Sequence, residues 1–266
     1  MHVDVEVLRL SSSAPPAWSD HHPAPPSFVD ARGTPEAQWL PVLERLPEWS
    51  PPAGGGHVVV VSPHPDDETL GVGGLLAALL ARRWSVCVVA VTDGEAAHGH
   101  QAPSAARRLA RRRRAEQEAA VERLHAAGGA RRVSIVRLGM PDGEVETARA
   151  DLTAALASPL RSADWCVAPL AWDGHPDHEA SGAAARDACG DRVPLASYPI
   201  WAWHWATPSQ LPLERTVRVP LSLAARERKA HALACFASQY EPVEGGAVVP
   251  PHVRIRFQRP FEVLLT

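Results

Sequence analysis

Cysteine is scarce: the 266-residue chain has four, Cys87, Cys166, Cys189 and Cys235, far apart and with no C-x-x-C pair. That excludes a disulfide framework and a thiolate metal site, and leaves small core residues suited to a reducing compartment. Long apolar runs are missing as well. The longest uncharged one, from Leu70 to Ala81, falls short of the roughly 18 residues a membrane span needs. The N-terminal MHVDVEVLRL has no basic segment followed by an apolar one, so no secretory signal is expected and a cytoplasmic location is. Nor is there an excess of one charge: 27 Lys and Arg against 30 Asp and Glu give a net charge of -3, which provides no general attraction to nucleic acid or membrane. Phe and Tyr are few (4 and 2), whereas Pro (26), His (13) and Trp (9) are abundant. With 45% hydrophobic residues, the chain is too apolar to be disordered throughout, despite the proline.

The prolines divide the chain. Ten lie in the first 52 residues and nine between Pro194 and Pro260, leaving seven in the long middle. Residues 1–53 read as a Pro-rich N-terminal arm, with a short helix expected at Thr34–Leu46, where Thr34 caps and Pro35 fills the first turn. Residues 54–266 read as one domain, led in by Gly54-Gly55-Gly56. From there, apolar β-rich runs (Val58–Ser62, Val86–Thr92, Val133–Leu138, Trp165–Ala168, Val193–Ser197) alternate with helical segments (Leu70–Arg83, Arg107–Ala127, Val145–Leu160, Pro176–Ala188). Strands apolar at every position suit a parallel sheet covered on both faces. The expected fold is therefore a Rossmann-like three-layer α/β/α domain with strand order 3-2-1-4-5. After Pro199 the alternation stops; a helix at Leu221–Ser238 and two short strands near the end are expected within an irregular Pro- and Trp-rich segment.

Chemistry-bearing residues collect at two strand ends. The first strand runs into SPHPDDE (Ser62–Glu68) and the fourth into DGHPDHE (Asp173–Glu179). In the expected order these strands are neighbours at the reversal point of the sheet, where ligands bind. Two imidazoles and a carboxylate would meet there, with a further carboxylate alongside. Such a set suits Zn²⁺, three protein ligands being the catalytic arrangement. Capping of the following helix is the competing reading of Asp66 and Asp67 alone; the cluster on the adjacent strand favours the metal. A dinucleotide loop is disfavoured, because Gly71, Gly73 and Gly74 are spaced G-x-G-G.

Five blocks, SPHPDDETLGVGG, TDGEA, RRAEQEAA, RLGMPDGEV and DGHPDHEASGAAA, resemble the LmbE/PIG-L family of zinc-dependent N-acetylglucosamine deacetylases and related amidases over roughly residues 57–239. The resemblance implies that His64, Asp67 and His178 bind the metal, that Asp66 is the general base and then the acid for the departing amine, and that His175 stabilises the oxyanion. It implies Zn²⁺, with Fe²⁺ or another divalent ion accepted by the same ligands. Asp177 would orient His175. Asp173 departs from mycothiol-type members, which tend to carry an aromatic residue there.

Other residues have two readings. The six arginines of Arg107–Arg114 read mostly as a solvated helix face, although Arg113 or Arg114 falls in a block flanking the pocket. Asp142 either bonds a sugar hydroxyl or simply makes the Pro-Asp-Gly turn. Trp201, Trp203 and Trp205 would share one face of an extended segment, with His204 opposite, and so stack on a sugar; core packing or a subunit interface is the competing reading. Trp172, beside the second motif, is a further candidate contact. The resulting expectation is a metal-dependent hydrolase removing an acyl group from an amino sugar or glycoconjugate, with no nucleic-acid partner, no membrane span and room for a homo-oligomer. The alternatives are an amidase on a thiol-sugar conjugate or natural-product intermediate, and a non-catalytic sugar-binding module.

Overall fold

The computed structural model describes residues 33–99, 101–125, 132–242 and 246–266. The extended arm expected before Gly33 lies outside them. In chain order the elements are α1 (Glu36–Leu43), β1 (His57–Ser62), α2 (Asp67–Ala81), β2 (Ser85–Thr92), α3 (Pro103–Arg123), β3 (Val133–Met140), α4 (Arg149–Leu160), β4 (Trp165–Pro169), α5 (Pro176–Cys189) and β5 (Leu195–Tyr198). There follow α6 (Ala202–Trp205), β6 (Thr216–Pro220), α7 (Leu223–Leu233), α8 (Ala237–Tyr240), α9 (Pro251–Arg254) and β7 (Phe261–Leu265). Among these residues no helix is long and apolar enough to cross a membrane.

One seven-stranded sheet has the order β3-β2-β1-β4-β5-β7-β6. Its first five strands are parallel and follow the expected order; β7 and β6 extend it antiparallel past β5. The all-apolar runs have the expected cause. Val58 and Val60 of β1 pack into one core with α2, Val59 and Val61 into the other with α4 and α5, so both faces are covered. Cys87, Cys166 and Cys189 are free and buried, as small core residues should be.

Two local readings change. Thr34 does not cap α1; its hydroxyl donates to the Ala206 carbonyl (2.6 Å), fastening the helix start to the segment after α6. And the Trp201–Trp205 stretch is not extended. It winds into the short helix α6 because Asp173 accepts the backbone N–H groups of Ile200, Trp201 and Ala202, which begin that turn. The three indoles therefore diverge. Trp203 is buried edge-on against Trp39 with Arg259 over its ring, and the Trp205 indole N–H donates to the Asp173 carbonyl.

Helix α2 contains a break. Val72 leaves the helical conformation (φ -137°, ψ 16°), and the N–H groups of Gly74 and Leu75 donate to the Glu262 carboxylate of β7, both at 2.7 Å. Lys229 of α7 completes the repair: its ammonium bonds the Leu70 carbonyl (2.7 Å) and Glu262 (2.6 Å). A buried ion pair thus replaces the hydrogen bonds that the kink removes.

Candidate functional site

β1 and β4 are paired neighbours, so the segments after them meet at the carboxyl edge of the sheet. His64 Nδ1, Asp67 Oδ2 and His178 Nε2 converge there, each 3.2 Å from the other two. All three side chains are buried. His178 Nδ1 faces Asp173 Oδ2 at 2.8 Å, which assigns the proton to Nδ1 and leaves a lone pair on Nε2. His64 Nε2 faces Asp142 Oδ1 and Asp177 Oδ2, both at 3.1 Å, which assigns its proton to Nε2 and leaves Nδ1 as the lone-pair atom. Two imidazole lone pairs and a carboxylate oxygen therefore point at one buried spot. Such a convergence of acceptors requires a cation. The 3.2 Å spacing is that of neighbouring ligands in a tetrahedral site with bonds of about 2.0 Å. The donor set thus fits a divalent metal. Further groupings of ligating side chains share His64, one with His175 and His178, one with Asp142 and Asp177. The second is occupied in hydrogen bonding: Asp177 accepts the N–H groups of Gly143 and Val145, and Asp142 that of Ala96.

Charge follows this wiring. Burial opposes ionisation of Asp67, but His178 and His64 outweigh it and hold its carboxyl well below the usual range. Burial likewise opposes a charge on His64, yet the hydrogen bonds to Asp142, Asp177 and Asp67 raise its pKa well above 6.5, so a positive charge is favoured at Nδ1, from a proton or from a metal ion in its place. For Asp142 burial is outweighed by the His64 hydrogen bond, which brings its carboxyl down to about 2. His175 goes the other way: burial first, then repulsion from His178 and His64, lower it to about 3. It is a neutral imidazole. Its Nδ1 caps α5 by accepting the Asp177 N–H (3.2 Å), so the proton is on Nε2, a donor available to a ligand.

Asp66 occupies strained backbone (φ 146°), unusual for a residue with a Cβ, and its carboxyl is raised by burial to about 7 although Arg113 pulls it down. Arg113 fixes this geometry. Its guanidinium donates to Asp66 Oδ1 (3.1 Å) and to the carbonyls of Pro65 (2.9 Å) and Gly94 (3.1 Å). Gly94 itself has φ +66°, and a Cβ there would collide with that guanidinium. Arg113 is buried because it shares a helix face with Leu109, Gln117, Ala120 and Val121, whereas Arg114 is half-exposed and pairs with Asp93. The helical period of α3 was therefore the signal that separates the two arginines.

These groups open onto a cavity of about 280 Å³ lined by His64, Asp66, Asp67, Arg113, Asp142 and His175 on the motif side, by Leu70, Ala96, Ala97 and Gly143 beside them, and by residues from Ile200 onward for the rest. Of the sequence candidates, Asp173 and Asp177 stand behind the candidate ligands His178 and His64. Asp177 turns its carboxylate to His64, and only its backbone N–H to His175, so its orienting role shifts from one histidine to the other. Arg114, Trp172, Trp203 and His204 do not line the cavity. Trp172 lies edge-on to Trp205, and His204 is buried with Nδ1 on Arg256. Gln239 lines the cavity without having been foreseen, since nothing in its spacing links it to either motif.

Residues 59–189 match the family model described as PIG-L, GlcNAc-PI de-N-acetylase. This segment, just under half of the chain, resembles the PIG-L (LmbE-like) family. The chain is 30% identical to 2'-N-acetylparomamine deacetylase of Streptomyces fradiae, over 61% of this chain and 63% of that protein, so it matches under two thirds of the length of this curated relative. Its fold is similar to those of N,N'-diacetylchitobiose deacetylase from Pyrococcus horikoshii (24% identity, TM-score 0.52, 70% of this chain and 71% of the other) and of the zinc-inhibited form of teicoplanin deacetylase (18%, TM-score 0.57, 79% and 97%). The PIG-L segment carries every residue of the convergent metal set and both of its buried carboxylate supports, Asp173 and Asp177. Asp173 has a double task, holding the His178 tautomer and starting α6. Asp173→Ala is therefore expected to weaken metal binding by about 10–100-fold, read by competition with a chromogenic chelator; affinity equal to the parent would contradict the tautomer assignment.

Proposed function

We propose that the protein is a zinc-dependent N-deacetylase that removes an acetyl group from the amide nitrogen of an N-acetylglucosamine-like amino sugar or glycoconjugate. The observation that carries this reading is the 3.2 Å triangle of His64 Nδ1, Asp67 Oδ2 and His178 Nε2 opening onto a cavity that also presents Asp66 and His175. Zn²⁺ bound there supplies Lewis acidity, which polarises a carbonyl and lowers the pKa of water toward about 7. Asp66 takes the proton of the attacking water, and its raised pKa suits a base working near neutrality. The water oxygen bonds to the amide carbon, and the His175 Nε2–H donates to the oxyanion that develops. The carbon–nitrogen bond then breaks as Asp66 returns the proton to the amine, giving acetate and a free amino sugar. Arg113 keeps the Asp66 carboxylate aimed throughout.

The test is amine release from a panel of N-acetyl sugars and glycosides, with and without a chelator. Chelator-sensitive release that Zn²⁺ restores is expected; no release from any member of the panel overturns the reading. Reconstitution with Fe²⁺ in parallel tests the metal. His178→Ala should remove one of three ligands and leave the purified protein with a small fraction of the parent's metal by elemental analysis. Full occupancy would remove His178 from the ligand set.

A further inference from the structure

The cavity has two chemically different parts. The motif side is ionic and polar. The remainder is built by chain outside the family-matched segment, chiefly Ile200, Trp201, Val249, Val253 and Phe257, with Leu70 beside them. Among these, all but Trp201 are buried. A sugar ring or a second saccharide against such a surface would leave hydroxyls desolvated without partners, which is costly for each one. One polar group interrupts the surface. Gln239 is fully buried, and its Oε1 has no hydrogen-bond partner among the described residues. The amide orientation follows from its neighbours: Ser238 Oγ donates to Glu116, so it accepts from Gln239 Nε2 (2.8 Å), and Oε1 is left over. A surface of this kind offers one acceptor and much apolar area.

We propose that this part of the cavity is a subsite for an apolar group carried by the amino-sugar substrate, with Gln239 accepting one hydrogen bond from a donor at the junction between sugar and apolar group. The proposal rests on the deacetylase reading and narrows it: the substrate is an N-acylated amino sugar with an aromatic or aliphatic substituent, not an oligosaccharide or a polyamino sugar. The apolar group can come from the aglycone or from an acyl chain longer than acetyl; the chemistry recognised is the same.

The experiment is calorimetric binding to zinc-loaded protein carrying Asp66→Asn, so that ligand is not consumed. The ligands are the methyl and phenyl β-glycosides of N-acetylglucosamine, the methyl glycoside of N-hexanoylglucosamine, and N,N'-diacetylchitobiose. The phenyl glycoside or the hexanoyl compound should bind at least about tenfold more tightly than the methyl N-acetyl glycoside, and which of the two gains identifies the source of the apolar group. Phe257→Ala should abolish the gain. Because it empties a buried ring site and endangers the fold, Val253→Thr, nearly equal in volume but polar, serves as the second variant and should cut the gain severalfold. Equal affinities for all four ligands, or tightest binding of chitobiose, overturn the proposal. Amine release by the parent enzyme is scored separately. Release without the affinity ranking removes the subsite and keeps the deacetylase; the ranking without release removes the deacetylase and keeps the subsite.

Discussion

Asp66→Asn is expected to lower deacetylation by about 10²–10⁴-fold, the range associated with loss of a positioned general base, while the bound metal stays at the parent's level. Both halves matter. Asp66 is adjacent to the candidate ligand Asp67 in sequence, yet its carboxylate is turned to Arg113, not into the His64–Asp67–His178 triangle. The asparagine amide keeps the volume but cannot take a proton. It also meets Arg113 with weaker charge pairing, so Arg113→Lys provides a useful companion. A lysine cannot reproduce the three contacts that the guanidinium makes with Asp66, Pro65 and Gly94. That variant should lower kcat more than it raises KM, because it misaims the base without touching the metal. Turnover of Asp66→Asn within threefold of the parent, measured as acetate release with metal content confirmed, would sink the proposed base.

The second large effect is on stability. Glu262→Ala should destabilise the fold by about 3–5 kcal/mol, the usual cost of stranding one member of a buried pair, seen as a fall of roughly 10 °C in Tm. Lys229 would be left buried with its charge opposed only by the Leu70 carbonyl, and the N–H groups of Gly74 and Leu75 would lose their acceptor at the kink of α2. Replacing both partners, Lys229→Met with Glu262→Met, should recover part of the loss, because no unpaired charge remains. A midpoint for Glu262→Ala within about 2 °C of the parent would mean that the broken helix finds other partners.

The sequence exposed the sheet because its central strands β1, β2 and β4 are apolar on both faces, a pattern that needs no knowledge of distant contacts. It also exposed the convergence of His64, Asp67 and His178, since neighbouring strands in that order bring the two motifs to one edge. Elsewhere the outcome depended on contacts between distant parts of the chain, which local pattern does not carry. Trp201, Trp203 and Trp205 alternate as a strand would, but the Asp173 carboxylate, 27 residues before Ile200, takes the N–H groups that start a helix there. Gln239 is brought to the cavity because the Glu116 carboxylate of α3 accepts the backbone N–H and hydroxyl of Ser238. Sequence proximity assigns the Asp177 carboxylate to His175, two residues before it, and the loop after β3 draws it to His64 instead, through the N–H groups of Gly143 and Val145. Each of these shifts came from a carboxylate satisfying backbone amides across space.

The cavity's divided origin has an evolutionary consequence. The candidate catalytic and metal-binding residues all lie within residues 59–189, whereas most of the surface a substrate's outer part would meet is written after Pro199. Recombination at that seam could exchange selectivity while inheriting catalysis unchanged. One constraint on the graft is that any transplanted C-terminal half must bring its own equivalents of Lys229 and Glu262, since these mend the broken α2 that follows the candidate metal-binding turn. The reach of diversification in this lineage would thus be limited less by the active centre than by a two-residue splice that every new substrate-facing half has to carry.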